Sequence, residues 1–536
     1  STDLWPRQST DHALAFLVPP HRSARWGFSL RLFPDVAPDR ITGGRGRVKN
    51  GVWHDCNDPH PFRSLLRWRL EREASRAKPV LVTTSTWTPD SWKSKADTQA
   101  VDYADAAALE SVTRRLRELP PLVTSWEIER LKTLLAEAQQ GRRFLVQGGD
   151  CAETLADCRS PIIANKLKIL LQLSLVMVHE GKRPVIRVGR FAGQYAKPRT
   201  KAVEARGSVV HPSYFGDMVN RADFTQEARR PDPENLIVAY SHAAMTLNFM
   251  RSLSAGGFAD VHHPEYWELS FFRSAGIPDG LREEYERTTR QLAEALRFME
   301  AFGETTIEEL TRIDFYCSHE GLNLHYESAQ TRRVPRREGW YDLTTHFPWI
   351  GERTRALDGA HVEFFRGIVN PLGIKLGPTT TADTVLRLID ALNPTNEPGR
   401  LALVTRLGAR KVGDVLPGIV DAVRKAGRTV LWVCDPMHGN TQTAPSGLKT
   451  RDFDDILREV EWSFDVHEAC GTHLGGVHFE MTGEDVTECI GGAAGLTLDD
   501  LDKNYATACD PRLNYRQALE MGFRIAKKLG KVGQSS

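Results

Sequence analysis

Residues 401–439 read LALVTRLGARKVGDVLPGIVDAVRKAGRTVLWVCDPMHG. Leu401 to Thr405 and Val430 to Cys434 are short apolar runs of strand type. Between them, Leu416 to Ala426 places apolar residues every three or four positions, the period of an amphipathic helix. A strand, a helix and a second strand in succession predict a parallel connection. Chemistry follows each strand at once: Arg406 after the first, and Asp435-Pro436-Met437-His438 after the second.

The same alternation extends in both directions from about Thr86. Further strand candidates are Phe144 to Gln147, Val185 to Val188, Ile313 to Cys317, Leu343 to Trp349, Leu372 to Leu376 and Val477 to Met481. Helical periods occupy Ile162 to His179, Asp383 to Leu392, Asp452 to Glu468 and Arg516 to Leu529. Eight strands alternating with helices predict an α/β fold, a (β/α)8 TIM barrel. A doubly wound open sheet is the alternative, but no dinucleotide-type glycine fingerprint follows the first strand. The interval from Gly189 to Arg312 is too long for a plain loop. Ile237 to Leu253 and Leu281 to Phe302 read as helices within it, so residues 200–311 are expected to contain an inserted helical segment between strands 2 and 3.

A length of 536 residues alone would suggest several domains, but one enlarged barrel over residues 86–536 absorbs most of it. The balance of 70 Lys+Arg against 69 Asp+Glu gives no global field to recruit nucleic acid or an anionic membrane. The longest apolar run, Ile169 to Val178, is broken by Gln172 and Ser174 and falls short of the roughly 20 residues a bilayer span needs. No transmembrane helix is therefore expected. Eight cysteines without a CxxC pair argue against a disulfide framework or a cysteine-only zinc site, and for a reducing, cytoplasmic interior. Residues 1–85 differ: 14 Lys+Arg against 8 Asp+Glu make them a basic N-terminal extension. This appendage is either a packing arm or a targeting peptide, which would place the protein in a plastid or another organelle.

In a barrel the strand ends converge on one face, and the residues following them sort into two chemical sets. Cys151, His438 and Glu480, with Asp510 before the last helix, offer a thiolate, an imidazole and two carboxylates. That mixture suits manganese, cobalt, iron or zinc better than magnesium or calcium. A lone buried Cys or His is usually a packing residue, so only the fold makes the set meaningful. Arg190, Arg353, Lys375 and Arg406 form the second set. Such cations in one cleft call for a small polyanionic ligand, unless each pairs with a neighbouring carboxylate, as Glu352 beside Arg353 would allow. Lys197-Pro198-Arg199 adds cations for a second phosphate. Cys509 adjoins Asp510; if its loop meets Cys151, the two thiols could form a disulfide in the metal-free state and switch activity off.

At these residues the sequence resembles the type II, plant-like class of 3-deoxy-D-arabino-heptulosonate 7-phosphate (DAHP) synthases. The blocks are QGGDCAET from Gln147, GQYAKPR from Gly193, WIGERTRALDGAHVEF from Trp349, NPLGIKLGP from Asn370, NPTNEPGRLALVTRLG from Asn393, CDPMHGNT from Cys434, MTGEDVTECIGG from Met481 and CDPRLN from Cys509. The likeness implies condensation of phosphoenolpyruvate with erythrose 4-phosphate at the head of the shikimate pathway. It implies a divalent metal, Mn²⁺ or else Co²⁺, on Cys151, His438, Glu480 and Asp510. It assigns phosphoenolpyruvate to Arg190, Glu352, Arg353, Lys375 and Arg406, and erythrose 4-phosphate to Lys197, Arg199 and Thr200, with Glu352 a candidate to orient the attacking water. Neither a nucleic acid nor a membrane partner is implied, and a homo-oligomer is. Thr200 stands where the family usually has Ser, and Leu474 where it has Pro. A same-fold synthase using an amino sugar phosphate and a non-catalytic phosphometabolite-binding regulator are the alternatives.

Overall fold

The computed structural model describes residues 87–256, some positions within 280–294, and residues 314–532. The basic appendage of residues 1–85, and all but isolated positions of the helix expected over Leu281 to Phe302, lie outside the described residues.

Eight parallel strands form the sheet: β1 (Phe144–Gly149), β2 (Val185–Arg190), β3 (Tyr316–Cys317), β4 (Trp349–Ile350), β5 (Leu372–Leu376), β6 (Leu401–Thr405), β7 (Leu431–Cys434) and β8 (Gly476–Glu480). Their lateral order is β3-β2-β1-β8-β7-β6-β5-β4. The ends of this ladder meet where Trp349 N–H donates to His319 O at 3.1 Å and Phe347 N–H to Cys317 O at 3.2 Å, closing the barrel. Helices follow the strands: α3 (Ser160–Gly181), α4 (Glu234–Ala255, preceded by the single turn Gln226–Arg229), α5 (Leu324–Gln330), α6 (Ala360–Phe365), α7 (Ala382–Leu392), α8 (Val412–Lys425), α9 (Phe453–Ala469) and α10 (Tyr515–Val532). Before them come α1 (Ala106–Glu118), wedged between α4 and α5, and α2 (Ser125–Gln139).

Helix α2 starts on a capping box, in which Thr124 and Glu127 exchange side-chain and backbone hydrogen bonds. Its Leu131, Leu135 and Ala138 pack with Leu145, Ile186, Val188, Ala402, Val404, Leu431 and Val433, the inward residues of β1, β2, β6 and β7. The N-terminal end of the barrel is thus plugged with hydrocarbon, each buried Leu, Ile or Val side chain stabilising by roughly 1.5–3 kcal/mol. Because side chains alternate along a strand, the next inward positions fall at the C-terminal mouth. They are Arg190 after Val188, Arg406 after Val404 and Asp435 after Val433.

Several expectations need correction. Leu343 to Trp349 is not a strand: only Trp349 enters β4. The polar side chains before it take backbone N–H groups in place of a ladder: Asp342 Oδ1 accepts Thr344 N–H at 3.1 Å, and His346 Nδ1 accepts Cys317 N–H, 29 residues away, at 3.0 Å. Helix α8 begins four residues before Leu416 and carries Pro417 inside it. The segment between β2 and β3 contains the expected helix in α4 and, besides it, a hairpin in which Val203–Arg206 pairs antiparallel with Val209–Pro212 around Gly207, whose φ is 61°. Helix α3, at 22 residues and a mean hydropathy of 1.5, is long and apolar enough to cross a membrane; here it is 67% buried and packs against α10, β2 and α4.

Candidate active site

The barrel mouth opens into a cavity of about 800 Å³ lined by Cys151, Arg190, Lys197, Arg199, Thr200, Trp349, Glu352, Arg353, Lys375, Arg406, His438, Lys449, Cys509 and Asp510. Glu480 lies beneath it, fully buried at the end of β8. The structure therefore brings together every site residue expected from sequence, with partners that differ from the expected ones in several cases.

In the metal-ligand set, donor atoms of Cys151, Glu480 and Asp510 lie within 4.8 Å of one another. His438 Nε2 joins them at 2.9 Å from Glu480 Oε1. Asp510 arrives from 359 positions away in sequence, its backbone N–H donating to Cys151 Sγ at 3.3 Å. The ammonium of Lys197 sits against Cys151 Sγ at 2.6 Å and Asp510 Oδ2 at 2.9 Å. A cation drawn among these donors marks a pocket of negative potential, and a mixed thiol, imidazole and carboxylate set fits a divalent transition metal. Lys197, assigned from sequence to a sugar phosphate, thus stands beside the donor set.

Burial acts to raise the carboxyl of Asp510, yet Lys197, with Arg451 and His438 adding to it, outweighs burial and holds the group ionised. Burial likewise opposes ionisation of Glu480, and His438, Arg451 and Arg190 together keep it well below the usual carboxylate range. Burial pushes the Cys151 thiol up, and contact with Cys509 and the Glu480 charge add to this. A bound cation reverses that logic, because a coordinating thiol is deprotonated. The hydrogen bond from Cys151 brings Cys509 down to about 7. The two loops do meet, and both thiols are free.

The anion-binding set divides by partner. Arg190 pairs with Glu480 at 3.1 Å and meets His478 Nε2 at 2.8 Å. Lys375 pairs with Asp435. Burial lowers Lys375 to about 8, with Asp435 opposing and Arg190 reinforcing that shift. Trp349 forms a wall beside both, its ring 5.2 Å from the Arg190 guanidinium and 5.8 Å from Lys375 Nζ. Arg199, Arg353 and Arg406, by contrast, have no carboxylate partner among the described residues. Glu352 does not neutralise Arg353: it forks with Arg355 at 2.7 and 2.9 Å and accepts the Gly377 N–H at 2.6 Å. Arg353 instead donates to Thr200 Oγ1 at 2.9 Å, linking the two expected substrate subsites. Arg406 donates to His438 O at 2.7 Å, and its Nε is buried with no partner among the described residues.

Sequence reasoning noted Asp435 after its strand without giving it a role, and missed His478 and Arg451. Asp435 follows β7 directly in the inward register and His478 is an inward position of β8, so strict alternation would have placed both in the site. Arg451 pairs with Glu480 Oε2 at 2.8 Å from the far end of a small hairpin, a placement with no local signal.

Guanidinium groups left without counter-charges, set over donors for a transition metal at a barrel mouth, define an enzyme of small anionic substrates. The chain belongs to the class-II DAHP synthetase family, which it matches over residues 87–526. It is 48% identical over 438 residues to the phospho-2-dehydro-3-deoxyheptonate aldolase of Streptomyces coelicolor, covering 82% of this chain and 96% of that protein. The Neurospora crassa protein of the same name is 45% identical, over 82% of this chain and 94% of its own. Phospho-2-dehydro-3-deoxyheptonate aldolase AroG of Mycolicibacterium smegmatis is also 45% identical, over 88% and 96%.

Proposed function

We propose that this enzyme condenses phosphoenolpyruvate with erythrose 4-phosphate to give DAHP and phosphate, the first step of the shikimate pathway. The observation that carries the reading is the set of unneutralised cations, Arg199, Arg353 and Arg406, lining one cavity with Cys151, His438 and Asp510. Cys151, His438, Glu480 and Asp510 would hold a divalent metal, which when bound supplies Lewis acidity toward the aldehyde oxygen. Mn²⁺ is the ion proposed, with Co²⁺ able to replace it, because the donor set includes both a thiolate and carboxylates.

Arg190, Lys375, Arg353 and Arg406 hold the phosphate and carboxylate of phosphoenolpyruvate and fix the alkene for attack on the aldehyde carbon. Arg199 and Thr200, with Lys197 deeper in the pocket, hold the phosphate of the acceptor. As C3 of phosphoenolpyruvate bonds to that carbon, positive charge develops at C2 and water adds there. The C–O bond to phosphate then breaks, and the guanidinium groups neutralise the leaving anion. Glu352, fixed by Arg355 and Gly377, keeps one lone pair of Oε1 free to orient the water. The chain works as a homo-oligomer in the cytoplasm on this reading, supported for the compartment by scattered cysteines with no CxxC pair.

The test is phosphate release from phosphoenolpyruvate with erythrose 4-phosphate and Mn²⁺ or Co²⁺, with a chelator control. Metal-dependent release is expected. No release with metal present overturns the reading. Full turnover by Glu352→Gln would remove Glu352 from the role of water-orienting group.

A further inference from the structure

Outside the residues assigned above, one buried carboxylate touches both halves of the site at once. Glu459 lies on the inner face of α9 and is 1% exposed. Its Oε1 accepts the backbone N–H groups of Leu407 at 2.7 Å and Gly408 at 2.9 Å, directly after Arg406. Its Oε2 accepts Asn440 Nδ2 at 2.8 Å, two residues after His438. Asn440 is itself pinned: its Oδ1 accepts the Ala409 N–H at 2.9 Å and its Nδ2 also donates to Pro436 O at 2.8 Å.

The two loops also approach each other closely through their backbones. A Cβ on Gly439 would stand 2.3 Å from Gly408 N, and Gly408 has a φ of +85°. Both glycines are required for that approach. Across the same seam Arg406 donates to His438 O. Every partner of Glu459 is a donor, so its acceptor-only, ionised form is the one the geometry uses. Burial opposes that form and pushes the carboxyl up to about 8. An apolar residue on this helix face would avoid the cost, which points to a demand of the site and not of the fold.

We infer that Glu459 is a positioning residue that locks the Arg406 loop to the His438 loop, and so sets the anion-binding guanidinium relative to the metal-ligating imidazole. This rests on the reading of Arg406 and His438 given above. Two consequences follow from hydrogen-bond chemistry. Glu459→Gln keeps an oxygen for Leu407 and Gly408 but turns an NH₂ toward Asn440 Nδ2, donor against donor. Asn440 cannot flip in response without losing its bonds to Ala409 and Pro436. Asn440→Ala removes the same link from the loop side, together with the bonds of Asn440 to Ala409 and Pro436, and leaves the hold of Glu459 on Leu407 and Gly408 in place.

The experiment measures, for the full chain and both variants, Mn²⁺ affinity by calorimetry, phosphoenolpyruvate binding by quenching of tryptophan fluorescence, and KM for each substrate. Outer partners of metal ligands typically contribute about 10–100-fold in affinity. Both variants should weaken Mn²⁺ and phosphoenolpyruvate binding about tenfold, with KM for erythrose 4-phosphate within about twofold, because Lys197, Arg199 and Thr200 lie on another loop. A lower melting temperature with both affinities unchanged would mean that Glu459 only supports the fold, and the inference fails. If Glu459→Gln does not fold, Asn440→Ala decides by the same criterion. If the wild-type chain binds Mn²⁺ and phosphoenolpyruvate but releases no phosphate with erythrose 4-phosphate, the proposed reaction fails while the binding measurements still judge Glu459.

Discussion

His438 Nδ1 lies 2.8 Å from Asp435 Oδ2, three residues away on the loop that leaves β7. That bond fixes the imidazole so that Nε2 faces Glu480 Oε1 at 2.9 Å. The same Asp435 carboxylate takes the Lys375 ammonium. One side chain therefore orients a metal ligand and tethers a cation of the substrate site.

Asp435→Asn should accordingly damage both functions. An amide cannot hold the ring and the ammonium with the same charge, and carboxylates behind a ligating histidine typically matter by about 10–100-fold in metal affinity. Titration with Mn²⁺ should show a loss in that range, together with a higher KM for phosphoenolpyruvate. Unchanged metal affinity would mean that the His438 ring is held by its backbone alone.

Arg406→Lys retains the charge but removes the planar fork. Loss of a two-point contact to a phosphate should raise KM for phosphoenolpyruvate by about tenfold or more, with a smaller effect on KM for erythrose 4-phosphate. Steady-state kinetics with each substrate varied in turn would check this. Equal effects on both constants would assign Arg406 to the whole cavity and not to one substrate.

Stability should fall in mild acid through buried neutral imidazoles. Burial lowers His325 to about 4, with Lys93 adding to it, and lowers His467 to about 3, with His473 adding to it. In the unfolded chain both protonate near 6.5. Their stabilisation is therefore fully present above about pH 6.5 and is lost progressively as pH falls toward the folded values. By pH 5 each costs about 2 kcal/mol. Melting curves from pH 7 to 5 should show the decline, and His467→Gln should flatten it by about one proton. An equal slope in that variant would reject the assignment.

Cys151 and Cys509 predict sensitivity of the metal-free enzyme to air. Dissolved oxygen would take two electrons and two protons from the pair as the S–S bond forms, removing a metal ligand. Activity measured after adding Mn²⁺ should fall with exposure and return with a thiol reductant, whereas Cys509→Ser should resist the loss. Wild-type enzyme that keeps all its titratable thiols after exposure would end the idea.

Much of this was legible in the sequence. Period two in the strands and period three to four in the helices predict the barrel, and inward alternation carries Arg190, Lys375, Arg406 and Glu480 to one mouth. Those residues lie on strands or, for Arg406, directly after one, where local geometry fixes direction. The poorest agreement falls where polar side chains replace the ladder, as in the stretch before Trp349, because Asp342 and His346 satisfy backbone N–H groups that a strand would have paired.

What the chain alone determined was the barrel and the residues at its open end, since both follow from repeats a few residues long. Tertiary structure decided the partners. Glu352 adjoins Arg353 in sequence but bonds Arg355, freeing Arg353 for Thr200. Asp510 reaches Cys151, Lys197 enters the donor set, and Glu459 ties two loops from behind. Such pairings depend on loop paths and on packing between distant segments, where hydrogen-bond and Coulomb energies are decided over a few ångströms.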